Sequence, residues 1–585
     1  VTNTPIDVPV PLIERWFPVA AVDEACGTPV GSGRNEKAIF TWFASRPIAQ
    51  ARAAVLTSLL MTSGEDPSAD LTDEVERAIR TGDHGALEKL AAKIPDGATG
   101  RPVVLDCFSG RGIIPLEAAR LGLRAVGIDW SPVAVLASRL LSDWPLRNWD
   151  NEPLLPTAWY AEDAPEDTPL LFAKTDQEPR LIRDLRALFA EVGRRVVTAV
   201  SPHYPTNSDG SFPWGYLWST TIPCDGCQRR FPLVGSLVLR HPFDRTRDQG
   251  QALRLVVDRT AGTWRAAAED GVPTGRPTFA AAEGRKGKSA RCPFCGHVHP
   301  LDAVKAKGVA GQYEDVPLVA ADLVTAEFVG PNGKLAKAER KVFRSLTADE
   351  VRCAHVDLSA LDPIGPLTAV PTEMIAPGNA DSVRGTGYGL RTWVELMNTR
   401  QAFSFVETIR SIRQCHAEAI ESGVSTEYAA ALASYAASNV VRRIRRSTRG
   451  ATLLTHGKPT GIEQNRAQVG DVFSHESLVD FNFDWFEAGP GSGPGTWSSL
   501  TDTTLTPLAT HIKGLPPMAQ PGRFRRASAT SLPYRGATVD SVVTDPPYYS
   551  MIDYADVSDL FYVWLRRCLF DILPDLFGEP GDTLG

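Results

Sequence analysis

"RPVVLDCFSGRGIIPLEAARLGLRAVGID", residues 101–129, decides the fold class of this chain. "RPVVLDCF" is a buried-type strand, "GIIPLEAARLG" a helix closed by Gly122, and "RAVGID" a second strand. "SPVAVLASRLLSDW" follows as another helix, with Ser131 as its N-cap and Pro132 at its first position. Strand, helix and strand in succession imply a parallel sheet. The alternation then stops and returns only at residues 526–570, where "TVDSVVTD" reads as a strand and "ADVSDLFYVWLRRCLFDIL" as an amphipathic helix. Four strands are expected, at about 103–106, 125–129, 526–533 and 538–544. The simplest architecture is one α/β domain split by a long insertion.

The loop after the first strand carries chemistry. Asp106 ends the strand, and Phe108, Gly110 and Gly112 follow. Glycines here let the backbone turn sharply and approach a ligand closely. Asp129 ends the second strand, where a carboxylate can accept hydrogen bonds from a ribose diol. A dinucleotide loop wants a small residue where this chain has Pro115, and no phosphate-binding G-x-x-x-x-G-K-[ST] loop is present. A carboxylate at Asp106 repels pyrophosphate but suits a cation. S-adenosylmethionine carries a sulfonium and an ammonium and no phosphate, so the loop favours it over NAD.

"VDSVVTDPPYYSMIDY", residues 539–554, supplies the second motif. Asp545 is expected at the carboxyl end of a strand, where ligands of open α/β sheets sit. Pro546 and Pro547 fix φ and remove two donors, and Tyr548 can lie against a planar base. A carboxylate and a proline carbonyl can each accept one N–H of an exocyclic amino group. That frees the nitrogen lone pair for in-line attack on a sulfonium methyl, with positioning and electrostatics supplying most of the rate. The target base then has to leave the duplex. Tyr549, Asp553 and Tyr554 are candidates to shape the pocket, Tyr554 mainly by packing.

Two of the cysteine pairs read as metal ligands. "PCDGCQRRF" holds Cys224 and Cys227, and "RCPFCGHVH" holds Cys292 and Cys295. Two residues between each pair let both sulfurs of a knuckle reach one tetrahedral zinc. Four thiolates leave no open position, so the zinc is expected to be structural, with His297 and His299 outside the ligand set. The long separation, residues 228–291, implies an elaborated hairpin or small inserted domain, with "GRKGKSAR", residues 284–291, its nearest candidate for DNA contact.

The chain has 585 residues, 43% hydrophobic and 22% charged, which suits a soluble globular protein of two to four domains. A net charge of −8 argues against nonspecific coating of nucleic acid but leaves room for a local basic groove. "VRRIRRSTR", residues 441–449, and "GRFRR", residues 522–526, are the two basic clusters; each reads either as a solvated face or as a phosphate contact. "GPGSGPG", residues 489–495, reads as a flexible loop. No apolar run is long enough for a membrane helix, and the N-terminus lacks a signal-peptide pattern, so a cytoplasmic protein without membrane contact is expected.

"DCFSGRG" and "TDPPYY" resemble the cofactor and catalytic motifs of amino-group DNA methyltransferases. With "FTWFASRPIAQAR", the paired CxxC elements, "GYGLRTWVELMNTRQ" and "DPPYYSMIDYADVSDLFYVWLRR", the chain resembles bacterial adenine-specific DNA methylases that contain a zinc ribbon and an N-terminal domain of unknown function, number 1156. The resemblance implies a Rossmann-like S-adenosylmethionine-dependent methyltransferase fold, split by an insertion that carries the ribbon. It assigns Asp106, Phe108, Gly110, Gly112 and Asp129 to the cofactor and Asp545, Pro546, Pro547 and Tyr548 to the target base. The implied partners are DNA and proteins of an anti-phage defence or restriction–modification system. Two departures stand out: Ser528 where the family often has an acid, and Phe43 and Ala44 in a tryptophan-rich signature, although Arg46 and Pro47 keep their places.

The expected divisions are an N-terminal family-specific region (1–63), a helical insert (64–99), a first methyltransferase part (100–149) and an insertion (150–390) with the ribbon at 224–295. A helical and loop region suited to target recognition (391–520) and a second methyltransferase part (521–585) follow. A complete methyltransferase sheet has seven strands, so four leave it C-terminally incomplete and point to a complementing polypeptide. Cytosine N4 offers the same acceptors a similar amino group, and a truncated nucleic-acid-binding module without turnover is the reading from a different class.

Overall fold

Val103–Asp106 buries every side chain and forms an inner strand of a parallel sheet. The sheet runs Arg523–Arg526, Arg124–Asp129, Val103–Asp106, Ser541–Val542, and every pairing is parallel. The computed structural model describes residues 8–578 apart from 28–35, 37–38, 41, 44–45, 64–65, 98, 161–177, 243–247, 282–286, 330–334, 379, 456–466, 476–477 and 548–552. Side chains of the sheet divide by the two-residue period of a strand. Val104, Ala125 and Phe524 join the main core, whereas Val103, Leu105, Val126 and Ile128 form a small cluster under Ala527, Tyr534 and Val539.

The outer strands differ from expectation. The strand expected near 526–533 is Arg523–Arg526. Phe524 fixes its register by lying over Gly127, where a Cβ would fall 2.5 Å from the phenyl ring. The serine-rich stretch after it turns away, with Ser528 hydrogen-bonded to Thr530 at 2.8 Å. The strand expected at 538–544 shortens to Ser541–Val542. Asp540 holds its start, donating its N–H to the Val103 carbonyl and accepting the Val103 N–H on its carboxylate at 2.8 Å. Thr544 then turns its hydroxyl to Asp106, and two prolines without N–H donors follow.

The helix Pro132–Ser142 is capped by the Ser131 hydroxyl, as its sequence predicts. Residues 64–99 form the helices Ala69–Thr81 and His84–Lys93. Between the second and third sheet strands lies a separate antiparallel sheet: Leu335–Ser345, Glu314–Val329, Gly215–Pro223 and Asp484–Ala488, with Arg230–Pro232 also on Gly215–Pro223. Long helices Arg180–Val200, Thr399–Glu421, Thr426–Ile444 and Trp497–Lys513 pack together. Thr426–Ile444 also packs on Pro132–Ser142 and on Tyr554–Leu569. Its alanines permit close approach on every face, so it is buried nearly all round.

Three sequence expectations change. The helix Tyr554–Leu569 is not amphipathic in place, because Val557 through Leu569 are all buried. Its Arg567 is satisfied by Glu373, the hydroxyl and carbonyl of Thr368, and the Val370 and Val563 carbonyls. The glycine–proline run 489–495 wraps a buried tryptophan: Trp214 Nε1 donates to the Pro494 carbonyl, and Gly493, at φ +117°, lies against the indole. The arginines of 441–449 are engaged by protein groups. Arg443 donates to Ser404 and Thr408, Arg445 pairs with Asp471, Arg446 donates to the Val469 carbonyl, and Arg449 binds Thr220 and Asp315. Arg442 donates to Thr503, so each arginine of this basic run has a partner within the protein.

Candidate active site and metal centre

The glycine loop is built by three local constraints. Gly110 and Gly112 take φ +51° and +83°, conformations glycine adopts without strain. Ser138 Oγ donates to the Gly110 carbonyl and Ser142 Oγ to the Gly112 carbonyl, both at 2.9 Å. A Cβ on Gly112 would meet Ser138 at 3.0 Å, so the loop lies tight on the helix Pro132–Ser142. A Cβ on Gly110 would meet the Trp42 indole at 3.0 Å, so Trp42 covers the loop from the N-terminal side. Trp42 in turn stacks on Tyr554 at 6.3 Å, which gives Tyr554 the packing role expected of it.

The two loop acids sit at strand ends and are used internally as well. Asp106, 2% exposed, accepts from the Phe108 N–H at 3.0 Å and the Thr544 hydroxyl at 2.8 Å, both on Oδ1. Asp129 accepts from the Gly110 N–H at 2.9 Å and the Ser131 N–H at 3.0 Å. Each carboxylate oxygen has two acceptor positions, so both acids keep capacity for a ligand. Phe108 is 38% exposed and Trp130 62% exposed, which leaves two aromatic rings open to solvent at the loop. The Arg526 guanidinium lies 5.2 Å from the Trp130 ring, and Arg526 Nε donates to the Trp130 carbonyl.

Thr544 joins the two motifs. Its bond to Asp106 spans 438 positions of sequence and brings Asp545 beside the glycine loop. Asp545 forms an ion pair with Arg46. Pro546 and Pro547 are exposed beside it, and Tyr548 and Tyr549 lie outside the described residues. Asp553 accepts from the Ser382 hydroxyl, which ties the start of the helix Tyr554–Leu569 to the segment before Gly385. Sequence reasoning gave no role to Trp42, Trp130, Thr544 and Ser138. Trp130 directly follows Asp129, Thr544 directly precedes Asp545, and Trp42 lies in the quoted "FTWFASRPIAQAR", so their positions were usable signals; the partner of Ser138 was not legible.

The electrostatics select the kind of ligand. Burial pushes Asp106 up to about 6, against hydrogen bonds from Phe108 and Thr544 that lower it. Burial also raises Asp129. Two carboxyls that resist ionisation, Asp106 buried and Asp129 half-buried, fit a cationic ligand, which stabilises their charged forms. Binding of such a ligand is expected to strengthen as pH rises through about 6 and to release protons below it. Calorimetry at pH 5.5 in buffers of different ionisation heat measures that release. Without ligand the sign reverses. Between 3.8 and about 6 the folded state holds the Asp106 proton more tightly than the unfolded one, so this group lowers stability as pH rises through that window.

Cys224, Cys227, Cys292 and Cys295 form one cluster that can hold a metal ion. Cys224 and Cys295 sulfurs are 3.6 Å apart, and Cys227 and Cys292 sulfurs 3.7 Å apart. Tetrahedral coordination at ~2.3 Å puts sulfurs about 3.8 Å apart, so the spacing fits zinc. The two knuckles share a backbone pattern. Cys224 N–H donates to the Arg229 carbonyl and Gln228 N–H to the Cys224 carbonyl; Cys292 N–H donates to the His297 carbonyl and Gly296 N–H to the Cys292 carbonyl. The residue after each second cysteine is left-handed, Gln228 at φ +60° and Gly296 at φ +78°. Asp225, His297 and His299 also converge, but Lys307 already holds Asp225 at 2.5 Å and His299 Nδ1 lies 3.1 Å from the same carboxylate. That trio braces the first knuckle against the strand Val298–Pro300.

No known family model matches the chain, and neither a curated protein nor a solved structure is similar to it. No helix among the described residues is long and apolar enough to cross a membrane.

Proposed function

We propose that this chain is an S-adenosylmethionine-dependent DNA methyltransferase of Rossmann-like fold that modifies the exocyclic amino group of adenine. The observation that carries the reading is the Thr544–Asp106 bond, which sets an acid–proline–proline turn beside a glycine loop with two carboxylates, Asp106 buried and Asp129 half-buried. S-adenosylmethionine supplies an electrophilic methyl group on a cationic sulfur. Asp106 and Asp129 hold its positive and hydroxyl groups, and Phe108 and Trp130 offer ring faces. Asp545 and a carbonyl of the Pro546–Pro547 pair accept the two N–H bonds of the amino group, drawing the nitrogen toward tetrahedral geometry and freeing its lone pair. Tyr548 is the residue that stacks on the extrahelical base.

The four-cysteine cluster binds a structural zinc in this reading, since four thiolates leave no position for a substrate. DNA modification places the protein in the cytoplasm, and restriction–modification or anti-phage systems are the setting it suits. Cytosine N4 is the second base to test, because Ser528 bonds Thr530 where an adenine-recognising acid is expected. The Ser541–Val542 strand pairs on one side only among the described residues, with Val542 59% exposed, so a complementing polypeptide has an edge to extend.

Labelled S-adenosylmethionine, incubated with the chain and unmethylated genomic DNA and followed by digestion to nucleosides, tests the reading. Label is expected in N6-methyladenine. Label in N4-methylcytosine corrects the base, and intact DNA binding with no label in any nucleoside favours a binding module.

A further inference from the structure

We propose that Arg46 is a placeholder cation for the candidate active site, holding Asp545 until a positively charged methyl donor and a base amino group take over the acids. The inference rests on the methyl-transfer reading and names what this cation does beside its acids.

Arg46 stands just before the helix Ile48–Leu59, whose N-cap is Pro47. Its guanidinium pairs with the Asp545 carboxylate, and its Nη1 donates to Gln50 Oε1 at 3.1 Å, one helical turn on. Among the described residues its buried Nε has no hydrogen-bond partner, so Asp545 and Gln50 are the groups that hold the guanidinium there. The same positive charge reaches Asp106, where it opposes the effect of burial. Arg46 thus lies within electrostatic reach of both motif acids, which Thr544 links directly.

The N-terminal segment touches both halves of the site. Trp42 covers Gly110 on the cofactor side, and Arg46 covers Asp545 on the base side. The Arg46 and Asp545 side chains are 27% and 35% exposed, so their pair is at the mouth of the site rather than sealed within it. A partly exposed ion pair contributes little stability, and incoming donors can replace it. Guanidinium N–H groups and a base amino group compete for the same carboxylate. A sulfonium and the guanidinium repel each other near the same two acids. Arg46 is accordingly a positioning residue, whose removal from Asp545 accompanies ligand entry.

Arg46→Gln in the full chain tests this without turnover. Carboxyl footprinting with a carbodiimide and glycine ethyl ester, read by mass spectrometry, is expected to show several-fold greater labelling of Asp545 than in the wild type. Calorimetry with S-adenosylmethionine and with neutral S-adenosylhomocysteine is expected to show a shift on the order of tenfold in their affinity ratio, toward the cation. Arg46→Lys keeps the charge and is expected to keep the wild-type ratio. A merely structural latch changes both affinities together and leaves the ratio in place, which overturns the placeholder role. Unchanged Asp545 labelling overturns the contact itself. Binding of neither ligand by the wild type sinks the methyl-donor reading, and the inference falls with it, while raised labelling still reports the contact.

Discussion

Replacing Glu487 with alanine is expected to destabilise the fold by about 3–5 kcal/mol, the cost of leaving a buried charge without its partner. Glu487 lies on the strand Asp484–Ala488 with no exposed surface. Its carboxylate accepts from Tyr204 at 2.5 Å, Arg400 Nε at 2.9 Å, Arg400 Nη2 at 2.8 Å, Asn398 at 3.3 Å and Trp218 Nε1. Arg400 is equally buried, stacked 4.3 Å from the Tyr204 ring and 4.2 Å from the Tyr216 ring. Burial alone would lower the Arg400 pKa; Glu487, together with Tyr204 and Tyr216, more than offsets it and raises the group overall. Alanine at 487 leaves a guanidinium, a phenol and an indole N–H facing an empty space. With total stabilities of roughly 5–15 kcal/mol for ordinary domains, a loss of this size lowers the denaturant midpoint sharply. The pair Arg400→Met with Glu487→Leu is expected to recover much of the loss, because no charge is then left buried. If Glu487→Ala unfolds at the wild-type denaturant concentration, the hub has no energetic weight.

Removing metal from the four-cysteine cluster is expected to unfold the ribbon. Structural zinc sites contribute apparent binding free energies of about 10–16 kcal/mol, available to folding because no site exists in the unfolded chain. The knuckles join strands of three or four residues: Lys288–Arg291, Val298–Pro300 and Arg230–Pro232. Phe231, Phe279, Ala290, Phe294, Ile222 and Leu233 are buried near them and join the main core, so chelation acts on the ribbon first. A strong chelator is expected to release one zinc per chain and lower the melting temperature, and Cys292→Ser is expected to prevent loading. Methyl-donor affinity is expected to survive, because the glycine loop lies on the other sheet. Metal analysis and thermal unfolding before and after chelation measure both effects. A metal-free chain with an unchanged melting temperature contradicts the structural role.

Local features were the legible part of this chain. Val103–Asp106, Gly112 and Ser131 each announce their structure within a few residues, through burial, a left-handed turn and a cap. The cysteine knuckles were legible for the same reason, as spacing within each pair fixes which sulfurs can share a metal. Context-dependent features were not. Arg523–Arg526 has weak strand character of its own, and Gly127 across the sheet sets its place. The arginines of 441–449 carry no sign in sequence that Asp315, Asp471 and Ser404 await them. The Arg400–Glu487 hub and the Arg46–Asp545 pair join residues far apart in the chain, and single-sequence periodicity holds no information about such partners. Tyr554–Leu569 has the periodicity of a half-exposed helix, yet neighbours cover its polar side too.

Methyl transfer by the wild-type chain and by Asp545→Ala, run side by side on unmethylated DNA, tests the role of Asp545 at the amino group. Calorimetry with S-adenosylmethionine on both proteins accompanies it. Removing a group that stabilises developing charge at a reaction centre costs on the order of 10²–10³ in rate. Label is expected in a base amino group for the wild type, with a loss of at least that size in Asp545→Ala and donor binding retained by the variant. Equal label in the two proteins, with equal donor binding, contradicts that role.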